Sequence, residues 1–297
     1  MKFLLTAINA KFIHSNPAIY SLRAGVGEKL QPYVELAEFT INESLESILE
    51  GIWKRQPKVI GFSCYIWNWK LIREILTELP KILPDTEIWL GGPEVTYDGP
   101  GLLSEFPQVT GIMVGEGEVT FREVLDHYVR EAESTGQSEQ QPEPDSIEQQ
   151  AADRTGTVAG KSVAERFGQI SGLCLASGYT EPRELTDLTT LPFLYEDMEP
   201  FTNRIIYYDT SRGCPYRCSY CLSSIDKKVR LRDIDVVKRE LQFFLDQNVK
   251  QVKFIDRTFN CDHKHAMEIW RYIYEHDNGV TNFHFEISAD ILREEEI

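Results

Sequence analysis

Three of the six cysteines of this 297-residue chain fall within eight consecutive residues, in the run Ser211-Arg-Gly-Cys214-Pro-Tyr-Arg-Cys218-Ser-Tyr-Cys221. Three thiolates so close need a shared partner, and spacings of three and then two residues let one loop wrap a single soft centre. Thiolate sulfur selects zinc, Cu(I) or an iron-sulfur cluster. A closed 4Fe-4S site and a structural zinc site each take four protein ligands, the zinc usually as two separated pairs. Only three ligands are local here. A cluster held by three cysteines leaves one iron open, the counterpart of the open position that marks a catalytic metal. The competing reading is a zinc knuckle or electron-transfer module completed by a distant Cys261, His263 or His265, and the missing second pair weighs against it.

Composition narrows the setting. Six cysteines in 297 residues are too sparse for a disulfide framework, and Met1-Lys-Phe-Leu-Leu does not open a secretory signal, so a reducing, cytoplasmic location is expected. No apolar run approaches the roughly 20 residues that span a bilayer. A net charge of -16 argues against a nucleic-acid or membrane-surface binder, which needs a basic footprint.

Ahead of the cysteines, residues 1–131 alternate strand and helix patterns. Phe3 to Ile8, Val34 to Phe39, Lys58 to Ser63, Glu87 to Gly92 and Gly111 to Val114 predict strands. Asn16-Pro17 predicts a helix to about Leu30, and further helices are expected over Glu43 to Lys54, Trp69 to Leu83 and Thr120 to Glu131. Apolar strands between helices make a parallel, doubly wound sheet, with ligands at the strands' carboxyl ends. Those ends carry Ser63-Cys64-Tyr65, Gly91-Gly92-Pro93-Glu94 and Gly115-Glu116-Gly117-Glu118.

Residues 132–167 turn acidic and polar, without an aromatic residue until the last position, and predict a disordered linker. Residues 168–200 give a hairpin turned at Ser177-Gly178 and a Leu-Pro connector. From 201 onward the pattern resumes with strands at Ile205 to Tyr208, Val252 to Ile255 and Asn282 to Ile287, and helices from Asp233 and from His263 or Lys264. The cysteine loop thus leaves the carboxyl end of a strand, where β/α barrels build active sites.

The spacing Cys214-x3-Cys218-x2-Cys221, with Tyr220 directly before the last cysteine, resembles the signature of the radical S-adenosylmethionine (radical SAM) enzymes. The small-residue strand ends of residues 1–131 resemble the cobalamin-binding domain that precedes the catalytic domain in one class of that family. The resemblance implies a cobalamin-type doubly wound α/β domain followed by a truncated radical SAM β/α barrel, since three βα units are half of the family's six. It implies a 4Fe-4S cluster on Cys214, Cys218 and Cys221 and a radical generated from S-adenosylmethionine bound to the open iron. Tyr220, Asp256 and Glu286 stand where the family contacts S-adenosylmethionine. Ser63, Gly91, Gly92, Gly115 and Gly117 stand where it accommodates cobalamin's buried nucleotide tail.

The resemblance further implies a small-molecule substrate, a reducing donor such as flavodoxin or ferredoxin, and methyl transfer or other radical chemistry. A domain that has lost cobalamin is the alternative within the family. The Asp-x-His-x-x-Gly pattern of other cobalamin proteins is missing, because Phe12 and Pro17 stand in place of its Asp and Gly. His14 is therefore expected to be a loop or core histidine rather than a cobalt ligand.

Overall fold

The strand Phe3–Asn9 (β1) is buried along its whole length, as a strand must be when helices cover both faces of its sheet. The computed structural model describes residues 1–134, 161–226 and 228–294. They form two compact units, Met1–Lys11 with Ala18–Leu185, and Phe12–Pro17 with Thr186–Ile297.

In the first unit β1 is followed by α1 (Pro17–Gly25), β2 (Val34–Thr40), α2 (Leu45–Trp53), β3 (Val59–Ser63), α3 (Trp69–Ile82), β4 (Glu87–Gly91), α4 (Gly99–Glu105), β5 (Val109–Met113) and α5 (Gly117–Ser134). These five strands are parallel in the order β2-β1-β3-β4-β5. The direction of winding reverses between β1 and β3, which opens a crevice at their carboxyl ends. Period-two alternation splits the core into two layers. Leu4, Ile60, Leu90 and Ile112 pack with α2 and α3, while Phe3, Leu5 and Trp89 pack with α1 and α5. Helix α1 stops at Gly25 rather than near Leu30, because Gly27 takes a positive φ of 76° that ends the turn.

The hairpin expected as a bridge instead extends this sheet. After α6 (Val163–Phe167), strand β6 (Leu173–Leu175) pairs antiparallel with β5, placing Cys174 opposite Ile112, and β7 (Gly178–Tyr179) pairs with β6. Leu173, Cys174 and Leu175 are all buried; covering the edge of β5 is what their apolar character is for. Helix α6 begins inside the stretch expected to be linker. Ser162 caps it in a reciprocal box with Glu165, and Arg166 is held between Glu87 at 2.9 Å and Glu131 at 2.8 Å. Most of the expected linker, residues 135–160, lies outside the described residues.

The second unit contains β8 (Ile206–Tyr208), β9 (Ser211–Arg212), β10 (Arg230–Leu231), α7 (Ile234–Asp246), β11 (Gln251–Phe254), α8 (His263–Glu275) and β12 (Asn282–His284). Strands β8, β11 and β12 are parallel neighbours in that order, the succession of a β/α barrel. Asp233 caps α7 by accepting from the backbone N–H groups of Asp235 and Val236. Beyond β12 the chain makes a single 3-10 turn, Ala289–Ile291. Among the described residues no helix is long and apolar enough to cross a membrane.

Candidate cofactor sites

All five small residues singled out at the strand ends of the first unit line one cavity of about 350 Å3. Its shape follows from strand register. Leu5, Gly61 and Trp89 form one row across the sheet, and Ala7, Ser63, Gly91 and Met113 the next. Side chains of both rows face α1 and α5, so the absence of bulk at Gly61, Ser63 and Gly91 leaves a gap between sheet and helices. Trp89 floors it, fixed by donating from its indole N–H to the Tyr128 hydroxyl at 2.8 Å. A gap of this volume falls at the lower end of small-molecule sites, which run from roughly 300 to 1,000 Å3.

The two glycines of the pair have different reasons. A Cβ on Gly91 would meet only Met113, with both nearest atoms at 3.8 Å. Gly91 therefore keeps space open and is not demanded by the fold. A Cβ on Gly92 would sit 2.5 Å from the Cys64 carbonyl oxygen, at a φ of 107°. Gly92 is thus required by the close approach of two loops. The neighbouring loop is pinned by Asn68, which is fully buried. Its amide donates to the carbonyls of Ile8 at 3.0 Å and Ser63 at 2.9 Å, and its oxygen accepts from Tyr65 N–H at 2.8 Å. The pinned loop presents Tyr65 stacked on Trp67, with ring centroids 4.4 Å apart. Tyr65 lines the cavity; Trp67 does not, and Trp69 packs into the core on the other layer.

In the second unit β9 and β10 pair across the base of the cysteine loop, Arg212 opposite Arg230 and Ser211 opposite Leu231. Gly213 turns the chain into the loop at a φ of 96°, where a side chain would strike the Lys228 carbonyl at 2.4 Å. Cys214 is buried, Cys221 half-buried and Cys218 exposed. The backbone N–H and hydroxyl of Ser223, helped by the Arg257 charge, lower the Cys221 pKa and so favour its thiolate. Among the described residues no three His, Cys, Asp or Glu side chains converge as metal ligands. The fit to a soft metal centre rests on the donor set itself, three thiols on one loop, one of them favoured as thiolate. Lys227 lies outside the described residues.

The segment after β11 ties this loop to its neighbours through alternate residues. Asp256, expected to meet the S-adenosylmethionine ammonium, is 1% exposed. Its carboxylate accepts from the Ser211 hydroxyl at 2.6 Å, the Thr210 hydroxyl at 2.7 Å and the Thr210 N–H at 3.2 Å. Burial pushes its carboxyl up to about 6 against the opposing pull of these donors. The geometry makes it a brace beneath the loop. Thr258 places its hydroxyl 3.6 Å from the Cys214 sulfur. Asn260 exchanges two hydrogen bonds of 2.9 Å with the backbone of Ser288 beyond β12.

Thr258 and Asn260 were missed by sequence reasoning. The available signal was a polar residue at every second position after an apolar strand. Glu286, beyond β12, is half-exposed and pairs with Lys253 at 3.4 Å. Tyr220 is 92% exposed at the tip of the loop. His14, within the second unit, hydrogen-bonds through Nδ1 with the Tyr207 hydroxyl and stacks on that ring at 5.9 Å.

Residues 4–125 match the family model for the B12 binding domain. A 2-(S-pantetheinyl)-carbapenam-3-carboxylate methyltransferase from Streptantibioticus cattleyicolor is 27% identical over 228 residues, 73% of this chain and 29% of that protein. A cobalamin-dependent radical SAM methyltransferase from Streptomyces tokunonensis, TokK, is 28% identical over 215 residues, 69% of this chain and 28% of that one. The chain carries a B12-binding domain and is a relative of the cobalamin-dependent radical SAM proteins.

In this B12-binding domain the matched span runs from β1 into α5 and contains every strand end that borders the cavity. The likeness of fold reaches past that span. The structure of OxsB, a cobalamin-dependent S-adenosylmethionine radical enzyme with aqua-cobalamin and S-adenosylmethionine bound, covers 99% of this chain with a TM-score of 0.67 at 16% identity. This chain covers 40% of OxsB and less than a third of each of the two methyltransferases.

Proposed function

We propose that this chain binds cobalamin in its first unit and a 4Fe-4S cluster on Cys214, Cys218 and Cys221 in its second. It would serve a radical SAM enzyme that transfers a methyl group, or performs related radical chemistry, on a small organic substrate. The observation that carries the reading is the convergence of Ser63, Gly91, Gly92, Gly115 and Gly117 on one cavity within the B12-binding domain. The three-thiol loop at the carboxyl end of β8 supports the second cofactor.

When bound, the cluster would supply the electron that cleaves S-adenosylmethionine, and cobalamin would supply a carrier for the methyl group. The chain's own residues hold and orient. Ser223 and Arg257 keep Cys221 ready as a thiolate, Asp256 fixes the entry of the loop through Thr210 and Ser211, and Thr258 directs a hydroxyl at Cys214. Tyr220 and Glu286 are the surface groups proposed to meet S-adenosylmethionine. A cytoplasmic setting and a flavodoxin- or ferredoxin-type donor complete the proposal.

The test is anaerobic reconstitution with iron and sulfide, followed by addition of S-adenosylmethionine while the cluster's electron paramagnetic resonance spectrum is recorded. A spectrum that shifts on addition supports an open iron that takes the sulfonium substrate. An unaltered spectrum, or a chain that retains zinc and refuses iron, overturns the reading. Cys218→Ala should abolish the cluster and Cys174→Ala, deep in the first sheet, should spare it.

A further inference from the structure

Tyr216 stands between the first two cysteines of the loop, and its hydroxyl lies 3.2 Å from the hydroxyl of Ser288, beyond β12. Among the described residues, this is the side-chain hydrogen bond that ties the stretch from Pro215 to Ser219 to another element. The outer cysteines are held otherwise. Cys214 has the Thr258 hydroxyl 3.6 Å from its sulfur and donates its N–H to the Asp226 carbonyl at 3.1 Å, while the Cys221 thiolate is favoured by Ser223. Cys218 is exposed and lies two residues after Tyr216.

Ser288 is fixed in its turn by its own backbone. Asn260, fully buried, donates from its amide to the Ser288 carbonyl and accepts from the Ser288 N–H, each at 2.9 Å. One step earlier the Phe259 N–H donates to the Glu286 carbonyl, also at 2.9 Å. Both backbone groups of Ser288 are thereby committed, which sets where its side chain leaves the chain. Its hydroxyl has a single proton to give. The Asp290 carboxylate, 2.7 Å away, accepts only and takes that proton, so Tyr216 donates to the Ser288 oxygen. The chain of donors runs from Tyr216 through Ser288 to Asp290, and each bond polarises the next.

The inference rests on the cluster reading above and adds the group that places the middle cysteine. We infer that Ser288, set by Asn260, is a positioning residue of the three-thiol loop: through the Tyr216 hydroxyl it keeps Cys218 where it can share a centre with Cys214 and Cys221. A loop that carries an exposed ligand and no such tie is free to wander, and the entropy lost in ordering it then falls on metal binding. The tie removes that cost before the metal arrives. It also joins the loop to the segment that carries Glu286.

The experiment loads the full chain anaerobically with iron and sulfide and follows loss of the cluster's visible absorbance to excess EDTA. Wild type is compared with Ser288→Ala, Tyr216→Phe, the double variant and Ser288→Thr. A neutral hydrogen bond is modest in net strength, so Ser288→Ala and Tyr216→Phe should each lose the cluster about fivefold faster than wild type. Ser288→Thr keeps the hydroxyl and should lose it at close to the wild-type rate. Because the two hydroxyls form one contact, the double variant should be no faster than either single variant, whereas two unrelated defects would multiply. Loss from Ser288→Ala at the wild-type rate, or multiplied effects in the double variant, overturns this inference alone. A wild-type chain that takes up no iron overturns the cluster reading and this inference with it.

Discussion

The carboxylate of Asp256, on the segment after β11, lies 2.6 Å from the hydroxyl of Ser211, three residues before the first cysteine of the loop. A group buried to 1% exposure and committed to its neighbours in this way sets where the loop starts. It also titrates in a defined direction. Because burial raises its folded pKa to about 6, above an unfolded value of 3.8, the folded state binds the proton more tightly. The stability this gives is present below about pH 4 and is lost as pH rises through 6. Asp256→Asn cannot titrate, so wild type should lose ground to it by up to about 3 kcal/mol between pH 4 and pH 7. Urea unfolding of both proteins across that range measures the difference. A flat or inverted difference would contradict the assignment.

Gly91 and Gly92 should separate binding from folding. Gly91→Val projects a side chain into open cavity and should abolish cobalamin binding with little change in melting temperature. Gly92→Val forces a side chain against the Cys64 carbonyl at a left-handed φ and should destabilise by about 1–3 kcal/mol. Thermal melts and corrinoid titrations of both variants decide. Normal cobalamin binding by Gly91→Val would show that the cavity is not the tail site.

Thr258 tests the cluster reading through potential rather than activity. A hydrogen bond to a ligating sulfur stabilises the reduced cluster, so removing it lowers the potential. Thr258→Val should therefore give a reconstituted cluster with a more negative midpoint, while Thr258→Ser restores the wild-type value. Identical potentials in all three proteins would mean that the hydroxyl and the Cys214 sulfur do not interact.

Much of this was legible in the sequence because apolar strands and glycine-bearing strand ends are local patterns. The five parallel strands, the cysteine loop after β8 and the small residues of the cavity all follow from such patterns. What escaped was long-range pairing. The hairpin at 173–179 gives no local sign that it will cover the edge of β5, and Arg166 gives none that it will meet Glu87 and Glu131. The partners of Asp256 lie 45 and 46 residues away, so its bracing contacts leave no local sign.

The Arg166 network yields a stability prediction of its own. Its guanidinium bridges two carboxylates with its side chain 2% exposed, and removing one partner from a buried ion cluster strands the others. Arg166→Ala should destabilise the first unit by about 3–5 kcal/mol, whereas Arg130→Ala, whose side chain is 76% exposed in its pair with Asp126, should change little. Chemical denaturation of the two variants provides the comparison, and equal effects would refute a stabilising role for the buried network.

The account turns on one chain holding two cofactors, and elemental analysis addresses that directly. The full chain is reconstituted anaerobically with iron, sulfide and aquocobalamin, freed of unbound material by gel filtration, and assayed for cobalt, iron and zinc against protein. The account predicts about one cobalt and about four irons per chain, with zinc negligible. Zinc in place of iron, or a chain without cobalt, would contradict it.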